Sequence, residues 1–180
     1  EGNSVPTDDE TIGEIVVRGN QIMEGYWNKP EETEEAFSAR REGWFHTGDL
    51  ATLNEDGMLK IKDRKKDIIV SGGENISSLQ LEDCLYNHSA VREVAIIPVP
   101  SAEWGETPKA YIIPKNGDPE NPGVTAEEIT AYTKEHLADY KAVRVVVFVD
   151  QLPKTSTGKI QKYELRQTEW DDHDQMVGEG

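Results

Sequence analysis

The chain has 180 residues, enough for one or two domains with a workable core. Its 35 acidic residues against 19 basic ones leave a formal charge of −16, which argues against nucleic acid or an anionic membrane as a general partner. Hydrophobic residues make up 36% with no run near membrane-spanning length, and a single cysteine excludes an internal disulfide.

Those features place the protein in a reducing, cytoplasmic setting. The acidic surface suits a high-salt cytoplasm, where carboxylates keep a protein hydrated while salt screens their repulsion. The first residue is Glu1 and nothing near it resembles a signal peptide. Cys84 shares a helical face with Leu81, Leu85 and His88, which reads as core packing rather than as a nucleophile.

In chain order, residues 1–10 read as loop and residues 11–19 as a strand. Gly25-Tyr26-Trp27-Asn28 is a turn with two aromatic rings, and Pro30 opens a short acidic helix reaching Phe37. Trp44-Phe45-His46 leads into Thr47-Gly48-Asp49. Strands over 50–53 and 58–62 follow, joined by the hairpin residues Asn54-Glu55-Asp56-Gly57. This first third carries few strands and little apolar surface, so it reads as part of a larger β unit.

The charged run Lys60-Ile61-Lys62-Asp63-Arg64-Lys65-Lys66-Asp67 marks a joint between two units, or else a solvated turn. Beyond it the pattern predicts a strand at 68–71 ending in Gly72-Gly73, then a helix over 79–88 with Ser77 and Ser78 as caps. Strands are predicted over 91–99 and 109–113, separated by the segment from Pro100 to Pro108. Thr125 caps a helix with Glu127 and Glu128 in its first turn. A buried strand over 143–149 and a last helix over 161–170 complete the order β-α-β-β-α-β-α. That order predicts an α+β domain, with about three helices against a small mixed sheet.

Between the last strand and helix lies Pro153-Lys154-Thr155-Ser156-Thr157-Gly158-Lys159. Pro153 and Gly158 shape a turn, and the three hydroxyls can bond its backbone. Gly158-Lys159 resembles the end of a P-loop. That motif, however, needs a glycine where Pro153 stands and a Ser or Thr where Ile160 stands. Any chemistry at Lys159 is therefore that of a mobile point charge; otherwise it is a solvated loop lysine.

Thr47-Gly48-Asp49, Asp63-Arg64-Lys65-Lys66-Asp67 with Val70-Ser71-Gly72-Gly73-Glu74-Asn75, and the Lys159 loop occur in that order. Together they resemble the C-terminal part of the AMP-forming acyl-CoA synthetases, in the superfamily that also holds luciferases and peptide-synthetase adenylation domains. Gly13-Glu14-Ile15, Gly19 and Gly25-Tyr26-Trp27 resemble that family's preceding barrel strand and turn, so the resemblance covers residues 11–168.

It implies a division into residues 1–62, a partial β-barrel segment ending the large N-terminal domain; a hinge at 63–66; a small domain over 67–170; and a flexible tail at 171–180. It also implies two steps. A carboxylate attacks the α-phosphate of ATP to give an acyl-adenylate, and the CoA thiol then displaces AMP. The first step sets two anions against each other, so a cation must screen and align them.

By the resemblance Lys159 is that catalytic cation and also contacts ATP or AMP. Asp49 grips the ribose hydroxyls and Arg64 contacts the nucleotide. Lys66 is the hinge residue, at a position where many members carry aspartate and others lysine. Ser71, Gly72 and Gly73 line the passage for the pantetheine arm of CoA, where glycine lets backbone approach a thin ligand. Trp104 and Lys141 align with residues near the CoA nucleotide, and loop packing and a solvated lysine stand as the alternatives. Glu74 departs from relatives that place an arginine there. The sequence from Ser71 to Ser78 leans toward medium or longer acyl chains.

The family's phosphate loop, adenine pocket and acyl pocket have no counterpart in this chain. The reading is therefore a C-terminal fragment, inactive alone, partnered by the N-terminal domain of its own protein and by CoA and a carboxylic acid. ATP with Mg²⁺ and CoA are substrates of the full-length enzyme, with none bound tightly by the fragment. No metal site is expected, since His46, His88, His136 and His173 lack ligand spacing. Two other readings remain: an adenylation domain that loads a carrier-protein thiol, and a free-standing, non-catalytic binding module.

Overall fold

The run from Val94 to Val99 is apolar at every position because both faces of its strand are covered. A computed structural model describes residues 3–38 and 43–170 and divides the chain into two units, Glu1–Lys65 and Lys66–Gly180. The expected tail at 171–180 lies outside the described residues, as does His173.

In the first unit, β1 (Gly13–Val17), β2 (Phe45–Leu53) and β3 (Leu59–Arg64) form an antiparallel sheet in that order. Helix α1 (Pro30–Ser38) sets Phe37 against Phe45 with ring centroids 5.5 Å apart. Strand β2 begins earlier than expected and takes in Thr47-Gly48-Asp49, which the sequence had set before the strand. Gly48 adopts φ +72°, and the β1–β2 register shifts between Glu14 and Val16, so a left-handed residue is absorbed inside a paired strand.

In the second unit, β4 (Ile69–Ser71), β5 (Glu74–Ile76), α2 (Ser78–Tyr86), β6 (Val91–Ser101), β7 (Gly105–Pro114), α3 (Ala126–His136), β8 (Val145–Phe148) and α4 (Lys162–Trp170) follow in order. The sheet order is β5-β4-β7-β6, with β8 pairing parallel to β7 over Lys109 to Ile112. The expected α+β domain, three helices on a mixed sheet, is therefore present.

Odd and even positions of the central strands serve different faces. Val94, Ile96, Ala110 and Ile112 pack with Leu81, Leu85 and Ile129, from α2 and α3. Ala95, Ile97, Tyr111 and Ile113 pack with Leu152, Ile160 and Leu165, the last on α4. Helix α4 thus covers one face alone.

Two differences from expectation matter for the site. Strand β5 has no counterpart among the expected elements; the pair Gly72-Gly73, at φ +60° and +86°, makes a two-residue hairpin with Ser71 opposite Glu74. The segment from Pro100 to Pro108, expected to separate the two strands, is mostly strand itself, since β6 and β7 stay paired out to Ser101 and Gly105. Only three residues turn between them, and Trp104 is one.

Candidate functional site

In the first unit, Asp49 and Arg64 are direct partners across β2 and β3, and Arg64 Nε donates to Asp49 Oδ1 at 3.0 Å. The approach to Asp49 is tightly specified. Thr47 Oγ1 donates to Ile15 O at 2.8 Å and accepts from the Asp49 N–H at 3.1 Å. Glu14 accepts from the Gly48 N–H at 3.1 Å through Oε1, and its Oε2 lies 3.0 Å from His46 Nδ1. These contacts aim the carboxylate of Asp49 by fixing the backbone beneath it. Both side chains of the pair stay exposed, at 36% for Asp49 and 59% for Arg64. A cleft of about 640 Å³ beside Tyr26 and Trp27 contains none of the expected site residues.

Asp63 and Arg64 belong to β3, paired with Leu50 and Asp49, so the irregular segment is narrower than 63–66. It is the 3₁₀ turn Lys65–Asp67, and the boundary of the two units falls between Lys65 and Lys66. Lys66 is exposed.

In the second unit Ser71, Gly72, Gly73 and Trp104 come together. Ser71 is buried and pairs with Gly105, and the Gly72 N–H donates to Trp104 O at 2.8 Å. A Cβ on Gly72 would stand 2.8 Å from Trp104 Cε3, so the indole occupies the space that the missing side chain leaves. The guanidinium carbon of Arg144 lies 5.2 Å from the centroid of the same indole. Loop packing thus accounts for much of Trp104, though the residue stays 38% exposed. Lys141 lies in a 3₁₀ turn and donates from Nζ to Gln80 Oε1 at 2.8 Å, beside the Tyr140 ring. Glu74 is exposed on β5.

Lys159 follows Gly158 at the end of a closed turn. Lys154 and Ile160 bridge, the Thr155 N–H donates to Lys159 O at 2.8 Å, and the Lys159 N–H donates to Thr155 Oγ1 at 3.1 Å. Gly158 takes φ +85°. Lys154 Nζ anchors the turn to Glu93 Oε2 on β6 at 2.5 Å. The bonds at Lys159 itself use only its backbone. Its own side chain is exposed, and among the described residues its amine has no ion pair or hydrogen bond. A presented, uncommitted ammonium can meet an anion without first breaking a partner.

Sequence reasoning missed the groups that hold this turn's helix. Lys162 Nζ donates to Ser78 Oγ at 2.9 Å and pairs with Glu82 Oε1 at 2.7 Å, and Glu82 also accepts from the Ile96 N–H at 2.8 Å. Glu169 takes bonds from Lys109 Nζ at 2.6 Å and from the Tyr111 hydroxyl at 2.5 Å. Burial pushes the Glu169 carboxyl up, but those two donors outweigh it and hold the group below its ordinary value. Burial, then the bond to Glu169, pushes the Tyr111 hydroxyl well up. Trp170 Nε1 donates to Pro98 O at 3.0 Å. Cys84 is half-buried and burial pushes its thiol up, which disfavours the thiolate a nucleophile needs.

Residues 80–159, which end at the exposed Lys159, match the family model of the AMP-binding enzyme C-terminal domain. The chain is 49% identical over 92% of its length to an acyl-activating enzyme of Arabidopsis thaliana, of which it spans 30%. It is 52% identical over 90% of its length to an acetate–CoA ligase of Humulus lupulus, spanning 28% of that protein. Among solved structures, ATP-bound MatB from Rhodopseudomonas palustris superposes with a TM-score of 0.78 at 34% identity, over 92% of this chain and 31% of that one. The o-succinylbenzoate CoA synthetase of Bacillus subtilis, solved with its acyl-adenylate intermediate, gives 0.75 at 36% identity, over 88% and 31%. Residues 80–159 thus match the AMP-binding enzyme C-terminal domain, and the chain as a whole is similar to acyl-activating enzymes and CoA ligases, spanning about 30% of the length of the relatives it matches.

Proposed function

We propose that this chain is the part of an AMP-forming acid–CoA ligase that supplies the mobile cation and half of the thiol passage. The observation that carries the reading is the Lys159 ammonium, exposed on a closed turn and without a hydrogen bond or ion pair among the described residues. In the first half-reaction a substrate carboxylate oxygen bonds to the α-phosphorus of ATP, the α–β anhydride bond breaks, and pyrophosphate leaves. Lys159 screens the two approaching anions and holds them in line, which is electrostatic and orienting work. Asp49 accepts from the ribose hydroxyls, and Arg64, already fixed by Asp49, lends a planar fork of donors.

In the second half-reaction the CoA sulfur bonds to the acyl carbon and AMP leaves. The Gly72-Gly73 turn, with Ser71 and Trp104, borders the pantetheine arm, and Lys141 attends a phosphate of the CoA nucleotide. The joint at Lys66 lets one small domain serve both steps. ATP enters with Mg²⁺ on its phosphates. Among the described residues no group of three His, Cys, Asp or Glu side chains is arranged to hold a metal. The rest of the nucleotide site and the acyl pocket come from the remainder of the large domain.

Acetate and 2-methylpropanoate appear in the names of two Humulus lupulus relatives, so short acids belong in any panel beside longer ones. Among the described residues no helix is long and apolar enough to cross a membrane. The single cysteine supports a reducing compartment such as the cytoplasm, and one Arabidopsis relative is named peroxisomal.

The test is to assay the full-length protein against carboxylic acids from acetate to long-chain fatty acids, following AMP release with and without CoA. CoA-dependent AMP release with at least one acid is expected. Release that depends on a carrier-protein thiol, or none at all, contradicts the proposal.

A further inference from the structure

Asp67 ends the 3₁₀ turn Lys65–Asp67, one residue past Lys66. Its Oδ1 accepts from Nη1 of Arg166, which lies on α4, 99 residues further along the chain. The two side chains are only 14% and 16% exposed, so the pair is largely withdrawn from water. In that setting the attraction is strong, and removing one partner strands the other's charge. Helix α4 begins two residues after Ile160, which closes the turn bearing Lys159. The N-terminal half of α4 is therefore attached at one end to the lysine turn and through Arg166 to the segment that leaves the joint.

We infer that Asp67 and Arg166 are positioning residues for the adenylation half-reaction: their ion pair ends the bending segment at Lys66 and ties it to the helix that follows the turn bearing Lys159. The inference rests on the proposed function. With the pair intact, rotation at Lys66 moves Asp67, α4 and the lysine turn as one lever. Without it, the flexible stretch runs on toward Ile69, the next fully buried residue, and the end of the lever wanders. The Gly72-Gly73 turn is held separately, by β4 pairing with β5 and β7. A loose lever therefore harms the step that needs Lys159 more than the step that needs that turn.

The experiment uses the full-length protein with Arg166→Gln, Arg166→Lys and Asp67→Asn. Adenylation is read as pyrophosphate release, thioester formation is read from synthetic acyl-adenylate, and the joint is read by limited trypsin cleavage after Lys65 and Lys66. Arg166→Gln and Asp67→Asn should each lower adenylation roughly ten- to a hundredfold, as misplacement of about 1 Å can do, while changing thioester formation by less than about threefold. Cleavage at the joint should quicken in both, and Arg166→Lys should recover part of each effect. Equal loss in both half-reactions, or unchanged adenylation, overturns the inference. If the wild-type protein adenylates no acid, the functional reading fails by itself. The cleavage rates then still decide the clamp, and rates unchanged in Asp67→Asn, the near-isosteric variant, overturn it.

Discussion

Arg64 Nε and Asp49 Oδ1 stand 3.0 Å apart across two hydrogen-bonded strands, with both side chains open to solvent. An exposed pair of this kind contributes only about 0–1 kcal/mol to stability. Its better use is to hold a carboxylate and a guanidinium ready for a ligand. Asp49→Asn and Arg64→Lys should accordingly leave the melting temperature nearly unchanged, yet lower kcat/KM for ATP by about ten- to a hundredfold, since each removes a charged bond worth roughly 1.5–3 kcal/mol. A large fall in melting temperature with ATP kinetics intact would reverse the assignment.

Gly72 and Gly73 should respond differently to alanine. Both have positive φ, but only the Cβ at Gly72 meets Trp104, at 2.8 Å. Gly73→Ala should cost about 1 kcal/mol for backbone strain, and Gly72→Ala about 2–3 kcal/mol because the indole must also move. Differential scanning calorimetry of the two variants checks the order. Gly72→Ala combined with Trp104→Ala should recover part of the loss. Equal melting temperatures for the two single variants would contradict the packing described here.

The Lys162–Glu82 pair is a buried one, with side chains 15% and 10% exposed. Lys162→Met should destabilise the protein by about 3–5 kcal/mol, because Glu82 is left charged and without its cation. Glu82→Gln should cost less, about 1–2 kcal/mol, since the amide oxygen can still accept from the Ile96 N–H. Urea denaturation distinguishes the two, and equal costs would count against a charge-pair role.

Glu169 ties the end of α4 to β7, and its folded-state carboxyl lies below the ordinary value. A lowered folded pKa means that the stabilisation is present above the unfolded pKa and is lost as pH falls through the folded one. Glu169→Gln should therefore melt below the wild type at neutral pH, with the gap closing as pH falls through and below the ordinary carboxylate range. A gap that does not change with pH would show that the carboxylate's charge is not what matters.

The residues differ in how far the sequence announces them. Helices α2 and α3 carry their own signals: Ser77 accepts from the Gln80 N–H, and Thr125 and Glu128 form a reciprocal cap. The β6 run is apolar throughout because it is covered twice, and that too is visible. Strand β5 is not, because Glu74-Asn75-Ile76 is too short for alternation to register. Arg144 beside Trp104, and Lys162 beside Glu82, depend on which strand neighbours which, so spacing along the chain cannot reveal them. For the candidate site, Asp49, Arg64 and Lys159 stand in short motifs that can be read in order. Their physical setting, one pair bound and one amine unpaired among the described residues, comes only from the fold.

The most direct measurement is to separate the two half-reactions in full-length Lys159→Ala. Adenylation should fall by about a thousandfold or more, the scale of losing a preorganised charge at a reacting phosphate, while thioester formation from preformed acyl-adenylate stays within about threefold of wild type. Equal loss in both half-reactions, or full adenylation without the amine, would contradict the role given to Lys159.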